Sequence, residues 1–274
     1  MRTIAAAVQM TSGPDLRANL DAAEALVAEA ARRGAELAVL PENFALLAPD
    51  DAEAKLGAAE AIGGASDGPI VARMRAVAKR LGVALVLGGM PERVAGDAGR
   101  VHNSAVYVDA AGEIKAVYRK IHLFDVDIPD GATYRESAKV APGAEPVLVD
   151  TPWGGLGLSV CYDVRFPELY RALAARGARI LVVPAAFTLH TGRDHWHVLL
   201  RARAIENLSY VIAAAQVGRH SDKRVTYGHA LIVDPWGHVL ADAGDRPSVA
   251  TAELDFTHLE KLRRELPALG HRRL

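Results

Sequence analysis

The feature that most constrains this chain's fold is an alternation of short apolar runs with amphipathic ones, sustained along 274 residues. Residues 3–8, 36–40, 84–88, 103–108, 114–119, 146–149, 155–160, 180–183, 210–215, 229–233, 238–241 and 250–254 have the length and composition of strands. Residues 15–33, 68–81, 167–176, 194–207 and 256–265 instead repeat their apolar positions at helical spacing. In the first helix Leu16, Leu20, Ala23, Leu26, Val27 and Ala30 share a face and Gly34 closes it, so it should lie on a sheet. Asp109-Ala110-Ala111-Gly112-Glu113 and Asp234-Pro235-Trp236-Gly237-His238 are polar, glycine-containing links between apolar runs, hence hairpin turns. Antiparallel pairs therefore join the βα units. A dozen strands are more than one open sheet holds well, so two packed sheets covered by helices are expected. The predicted fold is α/β, a four-layer α-β-β-α sandwich of mixed sheets in a single domain over residues 1–274.

Composition narrows the partners. The net charge of −1 leaves neither a basic nucleic-acid footprint nor an acidic tail, so a small molecule or another copy of the chain is expected. One cysteine can form neither an internal disulfide nor a cysteine-rich zinc site, which fits a reducing, cytoplasmic setting. Gln9 cuts the N-terminal apolar stretch short of a secretory core, and no run reaches the roughly 18 apolar residues of a membrane span. Residues 121–143, with Asp125, Asp127, Pro129, Asp130, Gly131 and Pro142, show little periodicity. A stretch that long without structure is usually functional or disordered. The basic tail His271-Arg272-Arg273-Leu274 is expected to dock or fray.

The chemistry gathers at strand ends. Cys161 stands where Gly155-Leu156-Gly157-Leu158-Ser159-Val160 stops and a Pro167-initiated helix begins, with Arg165 four residues on. A lone cysteine is commonly an apolar filler. Here, however, Tyr162-Asp163-Val164-Arg165-Phe166-Pro167-Glu168 follows it, too polar for a continuing core strand. A thiol becomes nucleophilic as its thiolate, which positive charge or a helix N-terminus favours. Glu42 follows Leu37-Ala38-Val39-Leu40-Pro41, and Lys120 ends the 114–119 strand. Either alone reads as a cap or a solvated charge. Together the three supply a base, a cation and a nucleophile at the kind of edge where layered α/β folds assemble sites.

Leu40-Pro41-Glu42, Tyr118-Arg119-Lys120-Ile121-His122-Leu123-Phe124-Asp125 and Cys161-Tyr162-Asp163-Val164-Arg165-Phe166-Pro167-Glu168 resemble, in order, the Glu-Lys-Cys signature of the nitrilase superfamily of carbon–nitrogen hydrolases. That resemblance implies the α-β-β-α sandwich, a homo-oligomer (a dimer), and cofactor-free, metal-free hydrolysis of a C–N bond in a small amide through a thioester. It assigns attack to Cys161, proton transfer to Glu42, oxyanion stabilisation to Lys120 with the Tyr162 backbone N–H, and a supporting carboxylate to Glu136 in Tyr134-Arg135-Glu136-Ser137. His195-Trp196, Leu200-Arg201-Ala202-Arg203-Ala204-Ile205-Glu206, and Ala215-Gln216-Val217-Gly218-Arg219-His220 followed by Lys223-Arg224 resemble amidase branches that act on α-keto acids. The resemblance is nearer the branch that releases 2-oxoglutarate and Cys-Gly than its sister acting on 2-oxoglutaramate or 2-oxosuccinamate. It places Arg165 on the substrate carboxylate, as its guanidinium fork suits, with Phe187 and Thr188 beside it. A structural pairing of Arg165 with Asp163 or Glu168 is the alternative.

Other readings fit less. His190, His195 and His197 lack a matching acidic or cysteine ligand motif, and i,i+2 spacing does not share a helix face, so no metal is expected. A papain-type Cys-His pair leaves Glu42, Lys120 and Glu136 without a purpose. Gly154-Gly155-Leu156-Gly157 lacks the rest of a dinucleotide fingerprint. A non-catalytic interaction protein would have no use for the intact Glu-Lys-Cys set.

Overall fold

In the computed structural model, which describes residues 1–48, 52–63, 66–127, 133–222 and 224–273, the alternation of apolar runs resolves into buried layers. The strands are β1 (Arg2–Met10), β2 (Leu37–Val39), β3 (Ala84–Val94), β4 (Asp97–Val108), β5 (Ile114–Arg119), β6 (Asp125–Asp127), β7 (Thr133–Arg135), β8 (Leu148–Thr151), β9 (Gly154–Gly157), β10 (Ala178–Val182), β11 (Tyr210–Ala213), β12 (Ala215–Arg219), β13 (Val225–Tyr227), β14 (Leu231–Val233), β15 (Val239–Asp242) and β16 (Ser248–Asp255). The helices are α1 (Leu16–Arg32), α2 (Ala52–Gly57), α3 (Pro69–Leu81), α4 (Pro167–Ala175), α5 (Leu189–Asn207) and α6 (Phe256–Glu265).

Eight strands form one sheet, ordered β13-β12-β1-β2-β3-β4-β5 with β16 also paired to β1, and six form a second, ordered β15-β14-β11-β10-β9-β8. Both are mixed. β1-β2-β3 and β9-β10-β11 run parallel, while β3-β4-β5 and β11-β14-β15 are antiparallel. Successive side chains on a strand face opposite ways. Ala5, Ala7, Leu37, Val39, Ala84 and Val86 accordingly join a core shared with Leu156, Ile180, Val182 and Val211 of the second sheet. Ala6, Val8, Ala38, Leu40, Leu85 and Leu87 pack with Leu20, Ala23 and Val27 of α1 and Ile70, Met74 and Val77 of α3. A strand covered on both faces is apolar throughout, which is why these segments read as continuous apolar runs. α4 packs on β9 and β10, and α5 on β11 and β14, completing the α-β-β-α order.

Local signals fix the element ends. The Asp15 carboxylate accepts the Ala18 N–H at 3.0 Å to cap α1, and Pro167 opens α4. Both expected hairpin turns form, closed by Asp109 N–H to Glu113 O and Asp234 N–H to His238 O, each 2.9 Å.

The structure also departs from the sequence reading. Residues 121–143 hold a short antiparallel pair, β6 with β7, followed by a 3-10 turn at Glu136–Ala138. Asp125, Asp127, Thr133, Arg135 and Ser137 of the pair and turn are polar and exposed, so no apolar period marks them. β12 and β13 pair over Val217–Arg219 and Val225–Tyr227, where Gly218, Arg219 and Thr226 leave equally little apolar alternation. α5 begins at Leu189, not at 194, because its first turn is selected by packing: a Cβ on Gly192 would come within 2.3 Å of Tyr227. β9 stops at Gly157, and residues 158–160 run on to Cys161 outside any strand, with Leu158 N–H donating to Val147 O at 3.0 Å. α2, with six residues, is too short for periodicity to reveal. Pro129, Asp130, Gly131, Lys223 and Leu274 lie outside the described residues. Among the described residues, no helix is long and apolar enough to cross a membrane.

Candidate active site

Cys161 begins a 3-10 turn, Cys161–Arg165, with a backbone φ of 49°. That left-handed value costs a residue with a Cβ roughly 1–2 kcal/mol and is held by the surroundings, since Cys161 N–H donates to Pro184 O at 2.9 Å. The next amide, Tyr162 N–H, makes no hydrogen bond with a described residue, and it opens the turn beside the thiol. Burial, and after it the Glu42 carboxylate, pushes the Cys161 thiol well above the ordinary cysteine range, with Lys120 pulling the other way. At rest the residue is a protonated thiol set beside the Glu42 carboxylate.

Glu42 lies beyond β2, where the left-handed Asn43 (φ 59°) hydrogen-bonds Gly89 O at 2.9 Å. Its side chain approaches β3 because Gly89, at φ 62°, has none: a Cβ there would fall 2.8 Å from Glu42 Cγ. Glu42 Oε1 accepts Lys120 Nζ at 3.0 Å and Asn103 Nδ2 at 2.9 Å, and Oε2 accepts Ala186 N–H at 2.9 Å. Lys120 Nζ also donates to Glu136 Oε2 at 2.9 Å and Oε1 at 3.1 Å. Glu136 is fixed in turn by Phe124 N–H at 2.7 Å and Asn103 Nδ2 at 3.2 Å. Glu42, Lys120 and Cys161 are 3%, 2% and 8% exposed, so their charges interact with little solvent screening. Burial works against the charge on both Glu42 and Lys120. Their mutual attraction, with Glu136 adding to Lys120, outweighs it: Glu42 is held well below the carboxylate range and Lys120 well above the lysine range. The pair therefore stays ionised across neutral pH. Two directions of the Lys120 ammonium serve the glutamates, leaving its third N–H for another acceptor.

Two buried residues that sequence reasoning did not single out hold this arrangement. Asn103, on β4, bridges Glu42 and Glu136 through one amide nitrogen; its only signal is a polar residue at the edge of an apolar run. Asp163, fully buried, accepts Tyr118 OH at 2.7 Å, Val160 N–H at 2.8 Å and His122 N–H at 3.1 Å, with His122 Nδ1 at 2.7 Å. It ties the Cys161 turn to the chain on either side of Lys120. Asp163→Ala strips these donors of their acceptor without admitting water. Stability measured by urea unfolding should fall by about 3–5 kcal/mol. A loss under about 1 kcal/mol would mean the turn is held by packing alone.

Glu42, Lys120, Glu136, Cys161, Tyr162, Phe187 and Thr188 all line one cavity of about 910 Å³. Arg165 is not among its lining residues. Its guanidinium lies over the Phe187 and Tyr162 rings, 5.1 and 5.9 Å from their centroids, with Nη1 3.3 Å from His195 Nδ1. It pairs with neither Asp163 nor Glu168, so among the described residues this half-buried cation has no carboxylate partner. The cavity wall also carries Lys55 and Arg224.

Of the histidines weighed from sequence, His197 meets not His190 or His195 but His229 and Asp242, with donor atoms within 4.8 Å of one another. This is the one group among the described residues with donors placed for a metal ion, and it lies outside the cavity wall. Asp242 accepts from His197 Nε2 at 3.0 Å and His229 Nδ1 at 3.0 Å, and despite burial these bonds hold its carboxyl down to about 2. Imidazole–carboxylate hydrogen bonds account for the cluster.

The model of the carbon-nitrogen hydrolase family matches residues 4–264. The deaminated glutathione amidase of Synechocystis sp. is 52% identical over 271 residues, covering 98% of this chain and 97% of the relative. That of Homo sapiens is 46% identical over 275 residues, covering 98% and 82%. Among solved structures, Saccharomyces cerevisiae Nit3, a member of branch 10 of the nitrilase superfamily, superposes with a TM-score of 0.89 at 32% identity, over 100% of this chain and 97% of that one.

Proposed function

Since the chain belongs to the carbon-nitrogen hydrolase family, and so acts on carbon–nitrogen bonds in amides, we propose that it hydrolyses deaminated glutathione to 2-oxoglutarate and Cys-Gly. The observation that carries the chemistry is the convergence of a thiol, a buried carboxylate and a buried ammonium on one cavity beside an unengaged backbone N–H. The relatives, named as deaminated glutathione amidases at 52% and 46% identity, support the substrate.

In this reading Cys161 Sγ attacks the amide carbonyl while its proton passes to Glu42. A thiol set beside a carboxylate base needs no prior ionisation in a site where burial disfavours a free thiolate. The oxyanion is met by the third N–H of Lys120 and by Tyr162 N–H, donors already in place before reaction. Glu42 returns the proton to the leaving nitrogen, the C–N bond breaks, and a thioester to Cys161 remains. Glu42 next takes a proton from water as it attacks the thioester, and gives it to the departing sulfur. Glu136 keeps Lys120 aimed and charged. Arg165 offers the fork geometry that an α-keto acid carboxylate requires, and the absence of an ion-pair partner among the described residues leaves it available.

A substrate panel tests this. Deaminated glutathione should give the highest kcat/KM, by about tenfold or more over 2-oxoglutaramate, an N-carbamoyl amino acid and a simple nitrile. If 2-oxoglutaramate leads, the substrate assignment falls. Arg165→Ala and Arg165→Lys should each lower kcat/KM for α-keto acid amides by about 10–100-fold and spare an uncharged short-chain amide. Equal losses on both would make Arg165 a support for Phe187 and Tyr162.

A further inference from the structure

Among the described residues, the cavity wall carries more positive charge than its carboxylates neutralise. Lys55, on α2, is half-buried in the same wall as Glu42, Lys120 and Cys161, and it makes no hydrogen bond or ion pair with a described residue. Both glutamates whose field reaches it, Glu136 and Glu42, are already bound to Lys120. Arg224 lines the cavity too. Its Nη2 donates to Ala186 O at 2.6 Å, its guanidinium lies 5.1 Å from the Tyr134 centroid, and no carboxylate among the described residues pairs with it. Burial first, then repulsion from Arg224 and Lys120, lowers the Lys55 pKa. An ammonium and a guanidinium in one wall, with no counter-ion among the described residues, are unfavourable until an anion arrives.

The position of that anion follows from the aromatic residues. Tyr134, Phe124 and Tyr162 form a row, with neighbouring centroids 5.1 and 5.0 Å apart. Arg224 stands at the Tyr134 end and Arg165 at the Tyr162 end. Two cationic groups without a carboxylate partner among the described residues, separated along one row, match a substrate with a carboxylate at each end. Resting on the substrate reading above, we propose that Lys55 and Arg224 form a second carboxylate site that holds the C-terminal carboxylate of the Cys-Gly leaving group. Arg165 then serves the acyl end, and the two cationic ends select a dianion of this length over shorter α-keto amides.

The experiment compares deaminated glutathione, the same compound with its glycine carboxylate converted to a carboxamide, and 2-oxoglutaramate, in wild type, Lys55→Met and Lys55→Arg. Converting the carboxylate should raise KM in wild type by about 10–100-fold with kcat little changed. Lys55→Met should produce a rise of the same order on deaminated glutathione, none further on the carboxamide, and a change under about twofold on 2-oxoglutaramate. Lys55→Arg should recover most of the affinity. A uniform loss on all three substrates, or equal KM for acid and carboxamide in wild type, overturns the site. A second arm does not depend on the substrate reading. Calorimetric titration of Cys161→Ala with N-acetyl-Cys-Gly and its C-terminal carboxamide should find the acid bound about tenfold tighter, and Lys55→Met should erase the difference. If wild type does not turn over deaminated glutathione, the substrate reading fails. This arm still judges the site, and equal binding of acid and carboxamide refutes it.

Discussion

Cys161→Ala is expected to leave a folded protein whose amide turnover is lower by about 10⁴–10⁶-fold. No other thiol exists in the chain to substitute. The residual rate would come from Lys120 and Tyr162 N–H acting on a bound substrate with water as the only nucleophile. Folding should survive because the substitution is small and keeps the same backbone cost: alanine at φ 49° is no worse placed than cysteine. What is lost is one buried sulfur beside Glu42, so urea unfolding should register a change of about 1–2 kcal/mol or less. The measurement is kcat/KM on deaminated glutathione beside the unfolding curve. A folded mutant within about tenfold of wild type would remove Cys161 from the mechanism. If the alanine protein proves unstable, Cys161→Ser carries the test, since a hydroxyl fills most of the same space but resists ionisation far more strongly.

How much of this was legible in the sequence depends on where each residue's partners lie. The α-β-β-α order could be read because β1, β2 and β3 are covered on both faces and so are apolar throughout, and because Asp15, Pro167, Gly112 and Gly237 mark element ends through local chemistry. Glu42, Lys120 and Cys161 could be picked out because each polar residue interrupts an apolar run where a strand stops, and the family signature then grouped them. Asn103 could not, since its meaning resides in hydrogen bonds to residues 61 and 33 positions away. Asp163 sits inside a recognised motif, yet its work of joining the Cys161 turn to Tyr118 and His122 exists only across the space between chain segments. Lys55 is the extreme case: a lysine in a short helix reads as solvated, and only the cavity reveals that it is half-buried with no partner among the described residues. Nor does the resemblance that brings Arg165 to the substrate convey that its guanidinium rests on Phe187 and Tyr162.

Glu42→Gln and Lys120→Met should each reduce turnover by about 10³–10⁵-fold, and the double mutant should lose little more than the worse single one. Non-additivity follows from the geometry, because Lys120 Nζ and Glu42 Oε1 are in contact at 3.0 Å and act in the same steps. The two differ in what they do to the fold. The groups among the described residues that hydrogen-bond the Glu42 carboxylate, Lys120, Asn103 and Ala186 N–H, are donors, so either orientation of a glutamine amide turns its own NH₂ toward a donor. That costs about 1–3 kcal/mol. Lys120→Met is harsher, since it leaves Glu42 and Glu136 as buried carboxylates without their common cation, and it should cost about 3–5 kcal/mol. A titration of the thiol separates the two roles. The Glu42 carboxylate raises the Cys161 pKa and the Lys120 ammonium lowers it, so Glu42→Gln should bring thiolate absorbance to lower pH, whereas Lys120→Met should move it to higher pH or out of range. Shifts in the same direction, or modest losses of turnover that simply add, would mean that the two residues shape the pocket without sharing the proton and the oxyanion.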